Sequence, residues 1–157
     1  MQELEFHPVA NIFPLIQGKE FDELVEDICR NGVLEPAVLH EGKLLDGRNR
    51  YMATRKAGVH LPTVVWNGEC GDPVSFVISR NVQRRQLTPS QRAMCAAKAR
   101  EMFDQQAKER YAATVGRPSK SVEHLPPIND KAKARDQAGK AFGVSGKLVD
   151  QARVVRP

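Results

Sequence analysis

The chain has 157 residues, 41% apolar and 27% charged, with a net charge of +5, the profile of one globular domain or a compact domain with a small appendage. No apolar run approaches the roughly 20 residues that span a bilayer, and the acidic start Met1-Gln2-Glu3-Leu4-Glu5 lacks the order of a signal peptide. Cys29, Cys70 and Cys95 are odd in number and form no metal-ligand pattern, so a cytoplasmic protein with reduced thiols is expected, Cys29 and Cys95 being buried at helical spacing.

The charge is segregated along the chain. Residues 1–79 hold 7 Lys+Arg against 12 Asp+Glu, net −5, whereas residues 80–157 hold 17 against 7, net +10. Such asymmetry points to a polyanionic partner for the second half, most often nucleic acid.

Glu3–Ile12 is expected to supply an edge strand. Phe21, Leu24, Val25 and Ile28 recur at i, i+3, i+4 and i+7, the stripe of an amphipathic helix that ends at Asn31-Gly32. Pro36–His40 and Lys43–Asp46, joined by Glu41-Gly42, read as a hairpin, and Pro62–Trp66 as a third strand. Between them a helix runs from Arg48 to Gly58. Asp72-Pro73 opens another helix, to about Asn81. Thr88-Pro89-Ser90-Gln91 is a full start signal for a long alanine-rich helix reaching about Tyr111. Val115–Asp130, with three prolines, is a linker, and Lys131–Arg156 is helical. Trp66 and Phe76 are expected in the core, and Arg100, Lys108 and Arg110 on a solvated helix face.

Two clusters carry chemistry. At Gly47-Arg48-Asn49-Arg50 a strand ends on glycine and a helix begins, which concentrates backbone N–H groups, a positive helix end and guanidinium groups. Phosphate suits that combination best, although a solvated basic helix start would look the same. Arg80-Asn81-Val82-Gln83-Arg84-Arg85 is the second cluster. Asp46 is the only acid inside the first motif. His40 and His60 could serve as bases, but lone histidines more often pack or face solvent.

Residues 135–149 have the spacing of a DNA-binding helix–turn–helix: Gly139 where two helices touch, Gly143 in the turn, Val144 and Val149 facing inward. Ser145 would cap the second helix. Ser145, Gly146, Lys147, Gln151 and Arg153 would then face a major groove, with Asp150 on the same face as a mild discord. A packing-only helical hairpin is the plainer alternative. A reading head usually needs another supporting helix, so the unit is expected to be truncated or completed by a second chain.

In this order the motifs resemble the ParB/sulfiredoxin superfamily, in particular ParB-like proteins of plasmid and phage type, over roughly residues 5–110 and the helix–turn–helix. The matching residues are Asn31-Gly32-Val33, Pro36–Leu39, Gly47–Arg50 with Ala53, Ala57-Gly58-Val59, Pro62–Val65, and Asn81–Arg84 with Leu87, Pro89 and Ala93. The resemblance implies an α+β fold: a small mixed sheet with helices over residues 1–85, a long helix 86–114, a linker 115–130 and a helix–turn–helix 131–157. It also implies a nucleoside triphosphate (CTP or ATP, with Mg2+) held by Gly47, Arg48, Asn49, Arg50, Asn81, Gln83 and Arg84. Partition proteins usually carry Gly-Glu-Arg-Arg; here only Gly47 and Arg50 match. Their upstream arginine motif is not recognisable in Phe13–Lys19, which leaves CTP preference and hydrolysis open.

The expected function is a homodimeric, cytoplasmic, nucleoid- or plasmid-associated DNA-binding protein with a nucleotide switch and no membrane association. A nuclease or NTPase using Asp46 is the enzymatic alternative. A protein-interaction module, its basic half merely solvated surface, is a third. Sulfiredoxins need a cysteine beside their phosphate-binding residues, and none lies near Gly47, so sulfinic-acid reduction is rejected.

Overall fold

The structure, a computed structural model, describes residues 3–68, 71–114 and 130–155. All but Asp130 of the expected linker, together with Cys70, lies outside the described residues. The chain forms two compact units, Met1–Val77 and Ile78–Pro157. This boundary nearly coincides with the charge division, so the first unit carries the net −5 and the second the net +10.

The first unit holds α1 (Lys19–Asn31), β1 (Ala37–His40), β2 (Lys43–Asp46), α2 (Arg48–Ala57) and β3 (Thr63–Val65). The sheet is mixed, in the order β2-β1-β3, with β1 antiparallel to β2 and parallel to β3. Register slips between Val38, opposite Asp46, and Leu39, opposite Leu44. Leu44 and Leu45 are consequently both fully buried, which strict alternation along a strand would forbid. Ala37, Leu44 and Tyr51 form a core cluster packed by Leu4, Phe6, Leu39 and Leu61. The apolar stripe of α1 faces α2, and Gly32, at φ 72°, donates its amide to Ile28 to end the helix.

The expected edge strand at Glu3–Ile12 is mostly absent. One parallel bridge joins Phe6 to Leu44, and the chain then turns into a short 3-10 helix, Pro8–Ile12. Pro8 lacks the N–H a strand ladder needs, and the His7 side chain accepts the Val9 amide at 3.3 Å to cap the new helix.

α3 (Pro73–Val82) crosses from the first unit into the second. Asp72 Oδ1 accepts the amides of Val74 and Ser75 at 3.0 and 3.1 Å, so the Asp-Pro start operates as expected. The second unit continues with α4 (Pro89–Thr114), α5 (Asp130–Phe142) and α6 (Gly146–Val154), which pack on one another. A reciprocal capping box opens α4: Thr88 Oγ1 accepts from the Gln91 amide, and Gln91 Oε1 from the Thr88 amide. Ala93, Ala96, Ala97 and Ala99 are buried, so the alanines do more than favour helix; they lie in the core with Ala134, Ala138 and Ala152. The fold is α+β, with six α-helices and a small mixed sheet among the described residues.

Three further expectations change. Cys29 is exposed while Cys95 is buried, because Cys29 follows Ile28 onto the outer side of α1. Arg100 is buried, 7% exposed, and engages Asp104 and Asp150 rather than solvent. Phe76 is in the core, but Trp66 is only partly buried and stands edge-on to His40, with ring centroids 4.8 Å apart.

Candidate phosphate corner and helical reading face

β2 hands over to α2 through Gly47, the left-handed N-cap at φ 102°. A Cβ there would lie 3.0 Å from both the Ala37 Cβ and the Arg50 Nη2, so glycine is required by conformation and by space. The Gly47 carbonyl accepts the first helical bond, from the Tyr51 amide at 2.9 Å. No side chain among the described residues caps this helix, and its first turn holds no acid. The acids at this helix start, Asp46 and Glu35, lie instead on Arg50.

The motif side chains radiate from that corner into the unit. Arg48 Nη1 donates to the Ala10 carbonyl at 2.8 Å, and its guanidinium lies 5.1 Å above the Phe6 ring. Asn49 Oδ1 accepts the Ile16 amide at 3.2 Å. Arg50 is the most heavily engaged: Nη2 reaches Asp46 Oδ2 at 3.2 Å and the Pro36 carbonyl at 3.3 Å, and Nη1 reaches Glu35 at 3.5 Å. Asp46, the candidate acid, is thereby the largely buried counter-ion of Arg50. The tetrapeptide fastens three segments, the 3-10 helix, the chain at Ile16 and the entry to β1, around the start of α2. An anion arriving there competes with Glu35 and Asp46 for Arg50.

Asn81 lies in the last turn of α3, and exposed Gln83 and Arg84 lie in the turn after it. All three belong to the second unit, whereas Gly47–Arg50 belongs to the first.

In the second unit α5 and α6 meet through a short turn. A Cβ on Gly139 would sit 2.7 Å from the Val144 carbonyl oxygen, a backbone contact that cannot give way, and Gly143 adopts φ 65°. Ser145 caps α6, its hydroxyl accepting from the Leu148 amide at 3.3 Å. Val149 and Ala152 turn inward, while Ser145, Lys147, Gln151 and Arg153 are exposed and Gly146 is partly covered. Asp150 bonds Arg100 of α4 and Arg135 of α5, at 3.4 Å for the latter. Sequence reasoning saw Asp150 only as a discordant charge. A buried arginine fifty positions away leaves no local signature.

No protein-family model matches the chain. A nucleoid occlusion protein from Geobacillus kaustophilus is 28% identical over 116 residues, 66% of this chain and 41% of that protein. The chain is similar to ParB-type proteins. A probable chromosome-partitioning protein ParB from Pseudomonas putida is 26% identical over 131 residues, 80% of this chain and 43% of that protein. A third relative, the probable chromosome-partitioning protein ParB of Rickettsia conorii, is 26% identical over 110 residues, covering 69% and 38% respectively. The chain thus spans about two-fifths of the length of the curated relatives it matches. No helix among the described residues is long and apolar enough to cross a membrane.

Proposed function

We propose that this ParB-like chain binds DNA and acts in partition, plasmid maintenance or transcriptional regulation, with its first unit taking a nucleoside triphosphate as a switch. The observation that carries the DNA reading is that α6 and its cap expose Ser145, Lys147, Gln151 and Arg153 on a unit of net charge +10. Two basic side chains, a hydroxyl and an amide are what a helix needs to touch both phosphates and base edges. The relatives' names, nucleoid occlusion and chromosome partitioning, favour the same reading. The protein would act as a homodimer associated with nucleoid or plasmid DNA in the cytoplasm.

The nucleotide reading rests on the start of α2, a helix N-terminus whose first turn holds Arg48 and Arg50 and no acid. CTP or ATP with Mg2+ would draw Arg50 from Glu35 and Asp46, and with it the entry to β1.

The test is DNA affinity as a function of salt. Log affinity falls against log salt with a slope of about −0.9 per phosphate contacted. Lys147→Ala with Arg153→Ala lowers affinity and flattens that slope by about two contacts. Affinity independent of salt, or untouched by the double substitution in a folded protein, overturns the assignment to α6.

A further inference from the structure

We propose that His7, His40 and Glu41 form a binding site for a divalent transition ion of the zinc class. His40 is the last residue of β1, and Glu41-Gly42 makes the hairpin turn, with φ 52° and 73°. That turn favours asparagine or glycine at its first position, and Glu41 is the only non-glycine residue at positive φ among those described. His7 arrives from the segment beside β2, its amide donating to the Leu44 carbonyl at 3.0 Å. The three side chains bring one ligand atom each within 4.8 Å of the others. The two imidazole rings lie 5.4 Å apart, and His40 Nε2 is already 3.8 Å from a Glu41 oxygen. Both histidines are partly buried, and Glu41 is exposed.

Two imidazoles and one carboxylate are a donor set that zinc accepts while keeping a position for water, whereas magnesium and calcium favour oxygen throughout. Metal–ligand bonds of about 2.0–2.1 Å place tetrahedral donors about 3.3 Å apart. Rotation of the exposed Glu41 and modest turning of the rings covers the difference. His7 Nδ1 accepts the Val9 amide at 3.3 Å, so the neutral ring carries its proton on Nε2. An ion on Nδ1 displaces that amide. An ion on Nε2 moves the ring proton to Nδ1, where it opposes the Val9 N–H. Either way a long hydrogen bond is exchanged for a metal bond, and the 3-10 helix whose Ala10 carbonyl holds Arg48 loses its cap.

Trp66, the only tryptophan, stands edge-on to His40 and reports occupancy. Tag-free protein with its thiols alkylated, titrated with Cu2+, should show saturable, one-to-one quenching of Trp66 fluorescence, reversed by EDTA and prevented by a large excess of Zn2+. His40→Gln and Glu41→Gln should each weaken Cu2+ at least tenfold, and His7→Gln likewise, while exposed His60→Gln leaves it unchanged. Glu41→Gln keeps the test valid if His7→Gln, which disturbs the cap, fails to fold. Unsaturable quenching, or the same affinity in folded Glu41→Gln and His40→Gln proteins, overturns the site.

Discussion

The carboxylate of Asp150 in α6 bonds the guanidinium of Arg100 in α4, an arginine only 7% exposed. The Nε of Arg100 also lies 3.7 Å from Asp104, and the second Asp150 oxygen receives Arg135. Asp150 thus ties α4, α5 and α6 together. Asp150→Ala leaves a buried cation with one weak partner. The loss should be about 2 kcal/mol, below that of a fully buried pair because Asp150 is half-exposed. Urea unfolding followed by helical circular dichroism measures it; an unchanged midpoint would show that the pair is incidental.

The glycines separate into those that must be glycine and those that need not be. Gly47→Ala forces a Cβ to 3.0 Å from Ala37 at φ 102°, and Gly139→Ala to 2.7 Å from a backbone oxygen. Each should cost about 1–3 kcal/mol. Gly146→Ala meets only the movable ends of Arg135 and Asp136 and has no left-handed backbone, so its effect should stay within about 1 kcal/mol. Equal losses for all three, read by thermal unfolding, would refute this ranking.

At the start of α2 the nucleotide proposal makes Glu35 a competitor of phosphate for Arg50. Glu35→Gln should strengthen nucleotide binding several-fold, and Arg50→Ala should abolish it. Thermal shift with CTP, ATP and GTP, with and without Mg2+, reads both effects, since a ligand at 100 times its Kd stabilises by about 2.7 kcal/mol. Weaker binding by Glu35→Gln would mean that Arg50 does not meet the ligand.

The thiols differ by environment. Exposed Cys29 should alkylate readily in the native protein, whereas buried Cys95 should react only on unfolding. Burial raises the Cys95 thiol above its ordinary value, with Lys98 and Arg85 opposing. The folded chain therefore keeps that proton to higher pH than the unfolded chain does. The resulting stabilisation is complete below the unfolded value and fades as pH rises through the folded one. Cys95→Ala should lessen the fall of stability at alkaline pH, measured by denaturation across that range.

What the amino-acid order determined unaided were the features governed within a few residues. The capping box at Thr88–Gln91, the Asp72-Pro73 start, the terminators Gly32 and Gly58, and Gly47 between strand and helix all follow from backbone hydrogen bonds and allowed φ. The same local rules located Gly139 and the exposed run of α6. Tertiary structure alone decided where long side chains end. Arg48 lies on Phe6, Arg50 between Glu35 and Asp46, Arg100 against Asp150, and His7 beside His40. It also decided the single bridge from Phe6 to Leu44, whereas the 3-10 helix that follows comes from Pro8 and the local His7 cap. The reason is reach: a cap or turn is satisfied by near neighbours, whereas a guanidinium or imidazole finds its partner only after packing brings distant segments together.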